Sequence, residues 1–459
     1  MKAVPIAITR TIAIAAFLTF VAGSSARCLA QDSSAAEPTA NETELLKTIT
    51  QLSERLDKIE AADAAAKKDK DEKAKAEAKK PAKPTVNWTG QLQMDSYGFT
   101  QSPANDAQYG NIDNGTAFRR ARLGAFGDYG LSEYRIEMDF ALSGRPSFLD
   151  VFTGVKEVPV LGTVRAGHFF EPFSLERITA NRFTVFMERS LVDQAFVPAR
   201  NTGVMARNQF FDSRVTSSLG IFRSSSDVFG DDAGDRFETA ITSRTTGLLW
   251  YRDYCGTLDY FHVGSAYSYR GANQGQLRFS AQPESRLGAI TTNNVPVFVD
   301  TGFFAANTSQ LFNAEAAWIR GPLMLSGEYV GTTIDAVGRS VNFGGGYVSG
   351  TYFLTGESRP YNRQTGAFDR VIPRRNFIDA DGKRIGGGAG AWELASRMSR
   401  LDLNDPFVQG GRVTDYTAGL NWYLNPYLRW TFNYIHSIPD RNGIQSTANI
   451  YASRIGFDF

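Results

Sequence analysis

The sequence predicts a transmembrane antiparallel β-barrel of about 16 strands, preceded by a short coiled-coil helix and a low-complexity spacer. Three observations carry that class. The chain closes on an alternating run, with Ile455, Phe457 and Phe459 on one face and Arg454, Gly456 and Asp458 on the other. One dry face, one polar face and an aromatic end suit the closing strand of a barrel. From residue 86 onward, short runs of the same period recur between Gly, Asn, Asp and Pro. Beyond the amino terminus, no apolar run approaches the roughly 20 residues that a spanning helix needs.

Taken in order, Lys2 and Arg10 precede an apolar stretch at 11–23, then small residues and Cys28-Leu29-Ala30 before Gln31. That layout predicts a signal peptide over 1–30 and export, and together with the barrel-like closing strand it places the protein in the cell outer membrane. Arg27, directly before Cys28, argues against lipid attachment there. If cleavage follows Ala30, Cys255 is alone and no disulfide framework exists. Residues 31–44 are polar. Over 45–60, Leu45, Ile49, Leu52, Leu56 and Ile59 step by four, three, four and three, the spacing of a coiled coil. A single amphipathic helix lying on its own domain would show the same spacing. Residues 61–85 are rich in Ala, Lys and Glu and end in Pro81 and Pro84, a semi-rigid periplasmic spacer. Its lysines could meet an acidic cell-wall polymer, but interleaved Asp63, Asp69, Asp71, Glu72 and Glu77 favour a plain solvated spacer.

The barrel is expected over 86–459. Tyr134, Ile136, Met138 and Phe140 alternate with Arg135, Glu137 and Asp139. Tyr416, Ala418, Leu420 and Trp422 alternate with Thr417, Gly419, Asn421 and Tyr423. Asn425-Pro426 reads as a tight turn before the next run, flanked by Trp422, Tyr423, Tyr427 and Trp430 as an interfacial girdle would be. Sixteen strands leave about 23 residues each, room for a crossing of about 9–11 plus a connection. Fourteen or 18 strands would also fit.

Net charge is +1, which gives no reason to expect nucleic acid as a partner. The balance hides an asymmetry: from residue 86 there are 33 arginines and two lysines, Lys156 and Lys383, against 36 acidic residues. Arginine is costly on a lipid-facing wall, so these side chains belong to lumen, loops or subunit contacts. A water-filled tube lined by guanidinium favours anions. The plainer possibility is that they neutralise lumenal carboxylates, so clustering decides. They cluster early: Arg120 and Arg122 oppose the face of Ala121, Leu123 and Ala125, and Arg135 follows on the lumen face of the next strand.

Here the chain resembles the phosphate-selective porins O and P of Gram-negative outer membranes. The matching stretches are FRRARLG at 118–124, YRIEMDFA at 134–141 and GHFFEPFSLERITANRFTVFMERS at 167–190. Later come GEYV at 327–330, YFLTGESRPY at 352–361, GAWELASRMSRLDLND at 390–405 and GLNWYLNPYLRWTFNYIHS at 419–437. The resemblance implies a homotrimer of 16-stranded barrels in the lipid bilayer, each narrowed by an inward third loop at roughly 171–201. It implies passage of inorganic anions, with phosphate or polyphosphate the best-known cargo. Carried onto this chain, the barrel-wall cations are Arg119, Arg120, Arg122 and Arg135, and the loop cations are Arg177, Arg182 and Arg189. Family members commonly have a lysine before the EPFSLE stretch; here Phe170 stands at that point of the constriction, which puts phosphate specificity in doubt.

Nothing else in the sequence argues for a cofactor, a metal or catalysis. His168, His262 and His436 are too scattered for a metal site, and no Ser/His/Asp arrangement stands out. Asp227, Asp231, Asp232 and Asp235 form an acidic loop that fits solvent better than calcium. Gly344–Gly346 and Gly386–Gly388 lack a following Lys-Ser/Thr and read as hairpin turns. A porin is thus the first reading. A general or non-specific porin that also anchors the outer membrane through its coiled coil is the second. A soluble β-protein, extractable without detergent, is the third.

Overall fold

The structure is a computed structural model that describes residues 40–78, 83–141, 145–224, 230, 238–287, 295–379 and 385–459. The expected signal peptide, residues 31–39 of the polar segment, the end of the spacer at 79–82 and the four acidic-loop aspartates lie outside the described residues. The chain divides into two units, residues 1–82 and 83–459.

In the first unit one helix, α1 (Ala40–Ala78), runs through the expected coiled coil and most of the spacer. Its Ala, Lys, Glu and Leu are strong helix formers, and no Gly or Pro interrupts them. Leu45, Ile49, Leu52, Leu56 and Ile59 are all exposed along it.

The second unit is a closed, sixteen-stranded antiparallel barrel. Its first strands are β1 (Asn87–Gln101), β2 (Gly115–Tyr129), β3 (Ser132–Asp139), β4 (Ser147–Val158) and β5 (Gly162–Phe170). After a long insert come β6 (Arg200–Phe210), β7 (Val215–Arg223), β8 (Thr239–Tyr254) and β9 (Thr257–Gly271). Then follow β10 (Thr308–Arg320), β11 (Leu323–Asp335) and β12 (Ser340–Phe353). The last four are β13 (Ala391–Asp405), β14 (Val408–Tyr423), β15 (Leu428–Arg441) and β16 (Ala448–Asp458). β16 returns to β1 and closes the sheet, with Gln91 opposite Asp458 and Gln101 opposite Ala448. Phe459 and Gly90 exchange two further backbone hydrogen bonds, of 3.0 and 3.1 Å.

Alternation sorts the two faces. On β10, Ser309, Leu311, Asn313, Glu315, Ala317 and Ile319 are buried inward, while Phe312 between them is exposed on the outer wall. One rim carries short turns, such as 130–131, 255–256 and 321–322, and the other carries most of the longer loops, with short connections at 336–339 and 406–407. In outer-membrane barrels the short turns face the periplasm. Residues 354–390, between β12 and β13, break that rule, being a long insert on the short-turn rim.

Three inserts fold into the lumen. Residues 171–199 enter from the long-loop rim, where Phe173, Leu191 and Val192 pack on Val330, Val341 and Leu401 of the inner wall. The described residues of the insert between β9 and β10, 272–287 and 295–307, enter from the same rim and seat Phe298 with Tyr97, Ile435 and Ile450. The described residues of the insert between β12 and β13, 354–379 and 385–390, rise from the opposite rim and seat Tyr361 and Ala367 against Tyr260, Ala317 and Met324. The resemblance implies the first of these inserts and neither of the others.

Two local expectations are corrected. Gly344, Gly345 and Gly346 do not make a hairpin turn; they lie inside β12. A Cβ at Gly345 would stand 2.6 Å from Val192 Cγ1, so glycine here admits the first insert against the wall. Tyr423 does not belong to an outer girdle: it is buried inward, and its hydroxyl donates to Glu393 Oε2 at 2.9 Å. Trp422 does face out, stacked on Trp392 with ring centroids 4.9 Å apart.

Candidate functional site

The arginine-bearing strand is shaped by a β-bulge. Opposite β1, Gln93 pairs with Arg120 and Met94 with Phe118, so Arg119 is the extra residue. A bulge turns two successive side chains toward one face. Arg119, Arg120 and Arg122 therefore all point inward, while Phe118 and Leu123 remain on the exposed outer wall. Strict alternation alone would turn only Arg120 and Arg122 inward.

Six of the expected residues meet at one cavity of about 330 Å³: Arg120, Arg122, Arg135, Phe170, Arg182 and Arg189. Arg200, at the start of β6, joins them, and the acids lining the same space are Glu137 and Asp150. Arg122 Nε donates to Asp139 at 2.8 Å, and Arg135 donates to Glu137 at 2.8 and 3.1 Å. Arg182 lies 3.7 Å from Glu137 and 3.6 Å from Asp458. Arg120 differs: it donates to the neutral Gln93 Oε1 at 2.6 Å, and its buried Nε has no partner among the described residues. Its positive charge faces the cavity without a carboxylate in contact.

The other two expected cations brace the first insert. Arg119 grips Glu188 with two hydrogen bonds of 2.9 and 3.1 Å. Arg454 of β16 holds the same carboxylate at 2.8 Å while clasping Asp95 at 2.6 and 2.7 Å. Burial pushes the Glu188 carboxyl up, but Arg119, Arg120 and Arg454 outweigh it and hold it well below the usual carboxylate range. Arg177 is tied to Asp193 and to the carbonyls of Asp193 and Val197. Within the insert, Ser174 and Ser190 cap two short helices, Leu175–Ile178 and Leu191–Ala195, by accepting from Arg177 N and Asp193 N. The wall completes the first cap: Glu315 and Glu328 accept from Leu175 N at 2.8 and 3.1 Å. Arg397 of β13 then bonds Glu176 at 2.9 Å, the Glu188 carbonyl at 3.0 Å and Glu284 of the second insert, tying both inserts to one wall residue.

Phe170 fills the place where the resemblance leads one to expect a lysine. Three guanidinium groups surround its ring: Arg200 at 3.7 Å from the centroid, and Arg177 and Arg189 at 5.7 Å each. Arg200 was within the expected loop span but carried no sequence signal of its own, because its neighbours Ala199 and Asn201 show no alternation. A second small pocket shares Arg182 and Phe183 with the cavity and adds Arg359, Arg370 and Arg429 from the third insert and β15. Arg370 there pairs with Asp458 and lies 5.0 Å over the Phe183 ring.

His262 is bound into the wall, with its ring nitrogens 2.7 Å from the Tyr361 hydroxyl and 3.1 Å from Glu315. Among the described residues no group of His, Cys, Asp and Glu is arranged to hold a metal.

Comparison with known proteins agrees with this architecture. A family model described as phosphate-selective porin O and P matches residues 86–459. An uncharacterized protein of Caulobacter vibrioides is 29% identical over 416 residues, covering 83% of this chain and 79% of its own length. Porin O of Pseudomonas aeruginosa is 23% identical over 388 residues, covering 77% of this chain and 82% of its own. Among solved structures, the anion-selective porin of Comamonas acidovorans superposes with a TM-score of 0.51 at 12% identity, over 82% of this chain and 100% of that one. The trimer form of OmpT from Vibrio cholerae gives 0.50 at 12% identity over the same shares. Those two likenesses concern the fold. The family match covers the whole barrel, and the chain belongs to the phosphate-selective porin O and P family, as an outer-membrane β-barrel porin.

Proposed function

We propose that this porin forms a water-filled, anion-selective channel for passive diffusion of small anions such as phosphate or polyphosphate. One observation carries the reading: six guanidinium groups line the cavity beside the first insert, against the two carboxylates Glu137 and Asp150. Guanidinium stays charged at any relevant pH and offers planar pairs of donors to an oxyanion. Low-dielectric walls focus that positive field into the lumen. The decisive measurement is the zero-current potential across a planar bilayer in a potassium chloride gradient. An anion-selective sign supports the reading, and a cation-selective sign overturns it. Phosphate as the preferred cargo draws on the family's description and on Arg120, whose charge meets no carboxylate.

A trimer held by barrel contacts, with α1 adding a short bundle, is part of the same proposal. The exposed stripe of Leu45, Ile49, Leu52, Leu56 and Ile59 supports it, since such a seam needs copies of itself for burial. The second reading, an envelope anchor, would use the same helix and the lysines of the spacer against the cell wall.

A further inference from the structure

We propose that Arg200 is a specificity-determining cation of the channel, beside Arg120, and that Phe170 is the residue that positions it. The proposal rests on the anion-channel reading and goes beyond it by naming what distinguishes an oxyanion from chloride. Of the three guanidinium groups around Phe170, two are committed to the protein. Arg177 donates to Asp193 and to two backbone carbonyls. Arg189 donates to the carbonyls of Glu176, Arg177 and Thr179. Arg200 is held differently. Its guanidinium lies against the ring of Phe170, 3.7 Å from the centroid, and its Nε donates to Asp150 Oδ1 at 2.8 Å.

Those two contacts fix the plane of the group without using its outer edge. Among the described residues the two Nη groups of Arg200 donate to no protein acceptor, and the residue lines the cavity. A planar pair of donors, held still and facing water, matches two oxygens of an oxyanion. Chloride, a single sphere, gains less from that fork. The ring face attracts the cation through its quadrupole, so Phe170 secures the orientation without neutralising the charge. Asp150 does neutralise part of it, but it also approaches Arg135 at 3.9 Å and so shares its charge between two cations.

The test uses the full chain in planar bilayers, with zero-current potentials giving permeability for phosphate over potassium and for chloride over potassium. Arg200→Ala should lower the phosphate ratio by about tenfold, the effect of one lost charge-assisted hydrogen bond, and the chloride ratio far less. Arg200→Lys keeps the charge and loses the fork, so it should retain the chloride ratio and lose the phosphate preference. Phe170→Leu should act in the same direction as Arg200→Ala, and Phe170→Tyr should behave as wild type. Because Phe170 acts through Arg200, the double variant Phe170→Leu/Arg200→Ala should be no worse than Arg200→Ala alone. Heat-modified gel migration checks that each barrel has formed. Wild-type ratios in Arg200→Ala and Arg200→Lys, or additive losses in the double variant, overturn the proposal while leaving an anion-selective wild type intact. A cation-selective wild type would instead sink the reading beneath it.

Discussion

At the scale of single residues, the expected arginines divide by position: some line the cavity, and others brace the first insert. Arg120 and Arg122 face the cavity, and Arg120 meets no carboxylate there. Charges within a Debye length, about 8 Å at physiological salt, act together. Arg120→Glu combined with Arg122→Glu should therefore move the zero-current potential toward cations, measurable in the same salt gradient. Arg119 was expected beside them, and its consequence differs. Its removal would cost Glu188, the carboxylate that anchors the insert, two of its hydrogen bonds and leave Arg454 to hold it. Since Glu188 is held below the ordinary range, its anchoring is fully present above about pH 4.3 and is lost as pH falls through the lower folded value. Current noise from a loosened insert should thus rise only in strong acid, and Glu188→Gln should show it at every pH. A wild-type noise onset at neutral pH would contradict that sign. The inward face of Arg120, Arg122 and Arg135 was legible because period two is written into their neighbours. The bulge at Arg119 was not, since a one-residue register shift leaves no mark on a single strand's pattern. Arg200 was missed for a related reason: its role comes from a ring thirty residues earlier in the chain, not from its neighbours.

At the scale of elements, the strands are set by local alternation and the inserts by distant pairs. Arg397 reaches Glu284 across 113 residues and Glu176 across 221. No window of sequence contains both ends of such a bond, which is why the inward paths of 272–307 and 354–390 were invisible while the turn at Asn425-Pro426 was plain. Asn425 Oδ1 accepts from Tyr427 N and Leu428 N at 2.8 Å each, a wholly local device. Two substitutions separate the inserts. Gly345→Val places side-chain atoms where Val192 and the Arg400 carbonyl already stand, so the helix Leu191–Ala195 must move off the wall and the β12–β13 pairing must shift locally. Single-channel conductance should change while the barrel still migrates as folded. In the third insert, Arg359 pairs with Glu393 and both side chains are fully buried. Glu393→Ala strands that guanidinium, a loss of roughly 3–5 kcal/mol. The temperature at which the folded band disappears from gels should fall. An unchanged temperature would mean that the insert is not part of the barrel's stability.

At the scale of the whole molecule, two units carry two kinds of burial. The barrel finds its own partners: β16 closes on β1 and every lumenal insert is packed on the inner wall. In the helix α1 the apolar stripe is exposed from Leu45 to Ile59. Two heptads of such a stripe are marginal as an isolated assembly, because nucleation and chain ordering offset most of what the short seam buries. Tethering changes the arithmetic by raising the effective concentration of one helix near another, without any new contact. On the proposed trimer the order of causation would follow: barrels associate first, and the helices pair only because they are already gathered. Removing residues 41–84 should therefore leave barrel closure and conductance unchanged. It should leave trimers in mild detergent, but trimers that dissociate at a lower temperature than the full chain. Native gels across a temperature series measure both quantities on the same sample. If the shortened chain runs as monomers before any heating, the helix is the primary contact and the barrels follow it.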